Sequence, residues 1–211
     1  MHVAELWRYP VKSMAGEPLE VARLGEDGVE GDRLVGAVAP GGRILTARTH
    51  PGLLGHRGTL DRAGEPLVDG RPWRAADVAA EVERATAPGV RLARLPREDA
   101  FDVLPLLVAT DGAVRAFGRD PRRLRPNVLV GAVDGLAERA WPGRRLRVGP
   151  VELHVERLRA RCVMTTYDPD TLAQDLSVLR DIVARFDGLL ALDCRVLRGG
   201  KIRAGDPVEL A

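Results

Sequence analysis

The residues best suited to chemistry fall in one short stretch, Arg161-Cys162-Val163-Met164-Thr165-Thr166-Tyr167-Asp168-Pro169-Asp170-Thr171. Cys162 is one of two cysteines, and Arg157, Arg159 and Arg161 crowd in just ahead of it. Their positive field favours the thiolate, the form that attacks electrophiles and binds metals. A thiolate is a soft donor suited to copper(I), zinc, iron–sulfur and other thiophilic centres. Cys162 is therefore the candidate catalytic and metal-binding residue. Two other readings fit these residues taken alone. A Cys–His hydrolase would need a distant histidine, and no local signature of such an enzyme surrounds Cys162. A lone cysteine is also most often a small buried hydrophobe. Cys194, in the apolar run Ala191-Leu192-Asp193-Cys194-Arg195-Val196, fits that last description.

Other groups could hold an anion. Tyr9-Pro10-Val11-Lys12-Ser13 ends in a cation and a hydroxyl, Gly31-Asp32-Arg33 and Leu45-Thr46-Ala47-Arg48 each place an arginine at a strand edge, and Arg125 precedes Pro126. Guanidinium and ammonium groups bind phosphate and carboxylate by charge-assisted hydrogen bonds. Singly, these are ordinary exposed-loop residues; only convergence would make a site of them, and spacing does not show convergence. Asn127, ahead of Val128-Leu129-Val130, is an unusual strand residue with a specific hydrogen-bonding task, structural or ligand-directed.

Several function classes are set aside. The four histidines lack the spacing of a zinc site, and no glycine-rich phosphate loop precedes Lys12-Ser13. A formal net charge of +2 gives no general pull toward nucleic acid. No stretch reaches the roughly 20 apolar residues of a membrane helix. The start, Met1-His2-Val3-Ala4-Glu5-Leu6-Trp7, has neither the basic nor the apolar region of a signal peptide, so the expected location is the cytoplasm.

The elements that must position these groups are mostly short strands. Alternation predicts an opening strand from Val3 to Arg8, and strands are expected at Leu34–Ala39, Ile44–Leu45, Leu106–Ala109, Asn127–Val133, Arg145–Val148, Val151–Arg157, Leu192–Leu197, Lys201–Arg203 and Val208–Leu210. Turn signals lie at Pro40-Gly41-Gly42 and at Asp61-Arg62-Ala63-Gly64. Helices are expected from Asp77, as cap, to Thr86, from the N-cap Thr110 to Phe117, and over Ser177–Arg185, where Leu179, Ile182, Val183 and Phe186 recur at helical spacing. Pro88-Gly89 and Pro96 suggest a boundary, dividing the chain into 1–100 and 101–211. The fold class is mainly β with a few short helices (α+β), as a barrel or sandwich.

In this order, Tyr9–Ser13, Gly31–Arg33, Leu45–Arg48, Arg125–Val130, Arg161–Thr171 and Gly199–Leu210 resemble the MOSC family (molybdenum cofactor sulfurase C-terminal domain), with the first half similar to its N-terminal β-barrel companion. The pattern is similar to the amidoxime-reducing components and their bacterial counterparts. The resemblance implies a MOSC-type β-barrel of the pyruvate-kinase barrel kind over 101–211 and a β-barrel-like domain over 1–100. It implies the molybdenum cofactor, a pterin dithiolene with a terminal phosphate, and makes Cys162 the molybdenum ligand. Lys12, Ser13, Arg33, Thr110 or Asp111, Arg125 and Asn127 would contact the pterin and phosphate, with Arg48 a further candidate. The implied activity is reduction of N-hydroxylated or N-oxide small molecules, with electrons from a separate iron–sulfur, flavin or haem protein and no nucleic-acid or membrane partner. The sulfurase relatives imply an alternative, a sulfur-carrier module with a Cys162 persulfide. A binding protein without turnover is a third reading. The pyridoxal phosphate label that some relatives carry finds no specific lysine beyond Lys12. Two departures stand out: Leu172 replaces a glycine that often follows Asp-Pro-Asp-Thr, and Cys194 replaces an aromatic residue.

Overall fold

The first strand shows how local sequence and packing combine. In β1 (His2–Arg8), Val3 and Leu6 are both buried, although three residues apart would place them on opposite faces of a regular strand. A bulge between Val3 and Glu5 inserts the extra residue that turns both inward. The chain, described over residues 1–211 by a computed structural model, continues through β2 (Glu17–Leu19), β3 (Val21–Gly25), β4 (Gly28–Val29), β5 (Val35–Val38), β6 (Ile44–Leu45), β7 (Gly58–Leu60), β8 (Pro66–Val68), β9 (Arg71–Pro72), helix α1 (Ala76–Ala85), β10 (Arg91–Arg94) and the one-turn helix α2 (Arg97–Ala100). Then come β11 (Leu106–Thr110), α3 (Asp111–Phe117), β12 (Val128–Gly131), β13 (Arg145–Val148), β14 (Val151–Ala160), α4 (Ser177–Phe186), β15 (Leu189–Arg198), β16 (Gly200–Arg203) and β17 (Val208–Leu210). The architecture is mainly β with four short helices, as expected.

Eight strands form the main sheet in the order β17-β13-β14-β15-β11-β12-β1-β2. Its one parallel pair, β11 with β12, is joined through α3, the crossover that a parallel pair requires. The sheet curls back on itself. Val3 N–H donates to Asp206 O (2.8 Å) and Gly205 N–H to Val3 O (2.7 Å), so the start of β1 meets the segment entering β17. Three smaller sheets have the orders β10-β5-β6, β16-β3-β4 and β7-β8-β9.

The cores interleave the two halves of the chain. The larger one joins Val3, Leu6, Ala22, Leu24 and Val29 to Leu106, Val130, Leu153, Leu192 and Ile202. A second core is built wholly from the first half, between Val11 and Leu92, with Met164 packed against it. A point near residue 100 falls between α2 and β11, but the first thirty residues pack with the later strands. On α4, Val178, Ile182 and Phe186 are buried against Phe117, Leu124 and Leu190, each burial worth about 1.5–3 kcal/mol. Helix α1 corrects one expectation: Ala75, not Asp77, is its N-cap, and Asp77 lies in the first turn, where its charge faces the amino end and Arg71.

Candidate functional site

The loop after β1 places the first cation. Tyr9 N–H donates to Asp32 Oδ1 (2.6 Å), and Lys12 N–H donates to Val35 O (2.8 Å), which locks Tyr9–Ser13 beside β5. The Lys12 ammonium donates to Asp99 O (2.8 Å) and pairs with Asp102 (3.0 Å), both in the connection between the halves. Ser13 has a left-handed backbone (φ 71°), and its Oγ accepts from Ala47 N–H (3.0 Å). That bond fixes the neighbouring Arg48, whose guanidinium pairs with the same Asp102 (2.8 Å). Burial alone would raise the Asp102 carboxyl; Lys12, Arg48 and Arg159 outweigh it and hold it below its usual range.

Asp32 is the hub of the next layer, and sequence reading passed over it in favour of Arg33. It is 1% exposed, pairs with Arg33, and accepts from Tyr9 N–H and from Asn127 Nδ2 (2.9 Å). Asn127 also donates to Trp7 O (3.3 Å) and accepts at Oδ1 from Leu107 N–H (3.2 Å). Its amide is thus committed to joining β1, β11 and Asp32, which favours the structural of its two expected tasks. Arg33 (φ 49°) and Arg125 (φ 57°) are also left-handed, so three cavity residues hold a conformation that costs about 1–2 kcal/mol each. Strain of that kind gathers at functional sites. The two guanidiniums flank the Tyr9 ring, Arg33 at 4.8 Å and Arg125 at 4.3 Å from its centroid. Gly16 lets the ring lie there, because a Cβ at that position would fall 2.5 Å from Tyr9 Cδ1.

Cys162 follows β14 and opens a 3-10 turn over Val163–Thr166. Its carbonyl accepts from Thr165 N–H (3.1 Å) and Thr165 Oγ1 (2.8 Å), so the Cys-x-x-Thr spacing fixes the cysteine backbone. The thiol is half-buried and shares the cavity lining with the Arg48 side chain. Beyond the turn, Asp168 Oδ1 gathers Asp170 N–H, Thr171 N–H and the Thr171 hydroxyl, and these bonds hold its carboxyl below the usual range. Leu172 adopts φ 60°, the conformation in which glycine is unstrained, so the loop forms despite the leucine.

These residues converge on a cavity of about 110 Å³ lined by Lys12, Ser13, Arg33, Arg48, Arg125, Asn127 and Cys162, together with Phe101, Asp102, Arg123, Arg159, Arg161, Met164 and Asp193. Seven of the lining side chains are cations and two are carboxylates, against a net charge of +2 for the whole chain. Most of the cations are paired: Arg33 with Asp32, Arg48 and Lys12 with Asp102, Arg159 with the buried Asp193 (3.0 Å) and Arg123 with Asp168 (2.8 Å). Arg125 and Arg161 are not. The Arg125 side chain lies against the Tyr9 ring and forms no ion pair. Arg161 donates to Leu124 O (2.8 Å), and its Nε is buried without any partner. Burial pushes both guanidiniums down to about 10, so at neutral pH both stay charged. Part-buried cations without an ion-pair partner beside a thiol suit an anionic ligand that brings a thiophilic centre.

Two expected ligands lie elsewhere. Thr110 N-caps α3, accepting from Ala113 N–H (3.1 Å) and donating to Glu138 (3.2 Å), and Asp111 takes the Ala132 and Val133 amides and Arg115. Both are used up in holding α3 against β12, so the amino end of that helix offers nothing to the cavity. Cys194 is fully buried in the larger core, and burial pushes its thiol up, as befits an inert residue. The strand alternation that hides Cys194 turns Asp193 toward the cavity. Asp102, Asp193, Arg123, Arg159 and Arg161 complete the walls. Of these, only Arg159 and Arg161 carried a signal in sequence, as the basic residues just ahead of Cys162.

Residues 112–209 match the MOSC domain and residues 1–94 the MOSC N-terminal beta barrel domain. The chain is 27% identical to mitochondrial amidoxime reducing component 2 of Macaca fascicularis and 24% identical to the Homo sapiens protein of the same name; each alignment spans 98% of this chain and 82% of the relative. The crystal structure of the YUAD protein from Bacillus subtilis superposes with a TM-score of 0.55 at 14% identity, over 99% of this chain and 94% of that one. No helix is long and apolar enough to cross a membrane.

Proposed function

Because the chain belongs to the MOSC domain family, we propose that it holds a molybdenum cofactor in the cavity beside Cys162 and reduces N-hydroxylated or N-oxide compounds. The observation that carries this reading is the pair of part-buried guanidiniums, Arg125 and Arg161, that form no ion pair and line the cavity that also presents the thiol. The relatives' name, amidoxime reducing component, supplies the reaction class.

Lys12, Arg33, Arg48 and Arg125 would hold the phosphate and pterin edge of the group. Asn127 and Asp32 act behind them, fixing Arg33 and the Tyr9 ring. Cys162 Sγ would be the protein's ligand to the metal, aimed by its 3-10 turn. Bound there, the cofactor supplies two-electron chemistry that no side chain of the cavity has. In the overall reaction an amidoxime takes up two electrons and two protons, its N–O bond breaks, and an amidine and water are released. The electrons come from a separate iron–sulfur, flavin or haem protein.

Protein made in a host that synthesises the cofactor is expected to contain near-stoichiometric molybdenum by elemental analysis. Cys162→Ala is expected to lose most of the amidoxime reductase activity and to release the metal on dialysis. Metal-free wild-type protein from such a host would sink the reading. Arg48, which lines the cavity together with Cys162, would equally steady a persulfide, and that second reading expects one additional sulfur atom on the Cys162 peptide by mass spectrometry.

A further inference from the structure

A second, wider cavity of about 450 Å³ adjoins the charged one, and Arg123, Arg125 and Met164 belong to the walls of both. Its volume lies in the range of small-ligand sites, about 300–1,000 Å³. One wall is the chain that leaves the Cys162 turn, Tyr167 through Asp170; the others come from the first half of the protein and include Trp7, Tyr9, Leu54 and Arg57. The groove is therefore continuous with the segment that carries the candidate reactive thiol.

Its charge is unbalanced in a specific way. Four arginines and two aspartates line it. Asp170 is taken by Arg122 (2.7 Å), which also pairs with Asp120, and Asp168 is taken by Arg123 (2.8 Å). His56 is bonded to Asp69 outside the groove (2.8 Å). Arg125, at the partition, has no carboxylate partner, and Arg57 offers only its backbone to Asp69, leaving an exposed guanidinium free. The flat side chains of Trp7, Tyr9 and Tyr167 line the same groove, with Tyr9 against Arg125. Aromatic walls take up planar rings, and a guanidinium binds a carboxylate through two parallel hydrogen bonds.

Resting on the reductase reading above, we propose that this groove admits the substrate and selects planar aromatic N–O compounds that bear a carboxylate or similar anionic group. The ring lies along the aromatic walls, the anion meets Arg57, and the N–O end points to the partition shared with the Cys162 cavity. The anionic group takes no part in the reduction; it sets affinity and orientation.

The test compares benzamidoxime with 4-carboxybenzamidoxime on the molybdenum-loaded protein. The carboxylated compound is expected to have a kcat/KM about tenfold higher, carried mainly by KM, and Arg57→Ala is expected to reduce that preference to about twofold or less. A readout independent of turnover is quenching of intrinsic fluorescence that is lost in Trp7→Phe, which should report a Kd about tenfold lower for the carboxylated compound in wild type but not in Arg57→Ala. Equal kcat/KM values with turnover intact, or a preference unchanged in Arg57→Ala, overturn the groove assignment alone. Selective, Trp7-reported binding without any turnover supports the ligand class and overturns the reductase reading instead.

Discussion

Two arginine clusters in this protein use the same side chain to opposite ends. At the surface beside α1, Arg71 bonds Asp77 (2.9 Å) and both oxygens of Glu81 (3.0 and 2.5 Å), with Asp69 close by (3.7 Å). Those carboxylates hold its guanidinium above the usual range. His56, Asp69 and Glu81 would otherwise look like a candidate cation site, and Arg71 already supplies the cation. In the cavity, Arg125 and Arg161 form no ion pair, and burial drives them the other way, down to about 10. A fully matched arginine is complete in the free protein. An unmatched, buried one lowers stability until an anion arrives, which is the signature of a binding site rather than of a fold element.

That contrast can be broken at its strongest point first. Asp32→Ala removes a fully buried carboxylate and leaves Arg33, the Tyr9 amide and the Asn127 amide without their acceptor; the expected loss is about 3–5 kcal/mol in urea unfolding. A loss under about 1 kcal/mol would mean that the hub does not organise the cavity. Arg125→Met should act in the opposite sense, leaving stability unchanged or raised by about 1 kcal/mol while molybdenum retention falls at least about tenfold. If Arg125→Met instead unfolds the protein, Arg125 is structural like Arg71 and the contrast fails.

Asp102 sharpens the comparison through pH. Its carboxyl is held below the usual range in the folded protein, so its contribution is present above the ordinary carboxylate pKa near 4 and is lost as pH falls from there through the lower folded-state value. The stability gap between wild type and Asp102→Asn, of about 1 kcal/mol at pH 7, should therefore shrink steadily as pH falls below about 4 in urea unfolding. A gap that does not shrink as the pH falls would show that packing, not charge, accounts for it. The smallest effect is expected from Arg71→Ala: its pairs are solvent-screened, so thermal unfolding and molybdenum content should both stay close to wild type.

Much of the site was legible in sequence because its parts are local. Lys12 and Ser13 follow a strand and a proline, Arg125 stands before Pro126, and Cys162 sits in a run of basic residues; each carries its chemistry in its own type and neighbours. Thr110 was legible as an N-cap for the same reason, since a cap bonds an amide three residues on. That cap role is also why it has nothing left for the cavity. Asp77 misled because a carboxylate in the first helical turn resembles a cap in sequence, and the cap simply lies two residues earlier, at Ala75. Asp32 and Asp193 carried no signal. Asp32 accepts from Asn127, 95 positions away, and Asp193 from Arg159, 34 positions away.

By itself the sequence determined the strand-rich class, the soft thiol at Cys162 and the excess of cations around it, because residue type, alternation and helical spacing are properties of a few adjacent positions. Only the tertiary structure decided which cations are free. Pairing is a matter of a few ångströms between segments far apart in the chain, and the curled sheet settles it by bringing Asp32, Asp102 and Asp193 to some arginines and to neither Arg125 nor Arg161.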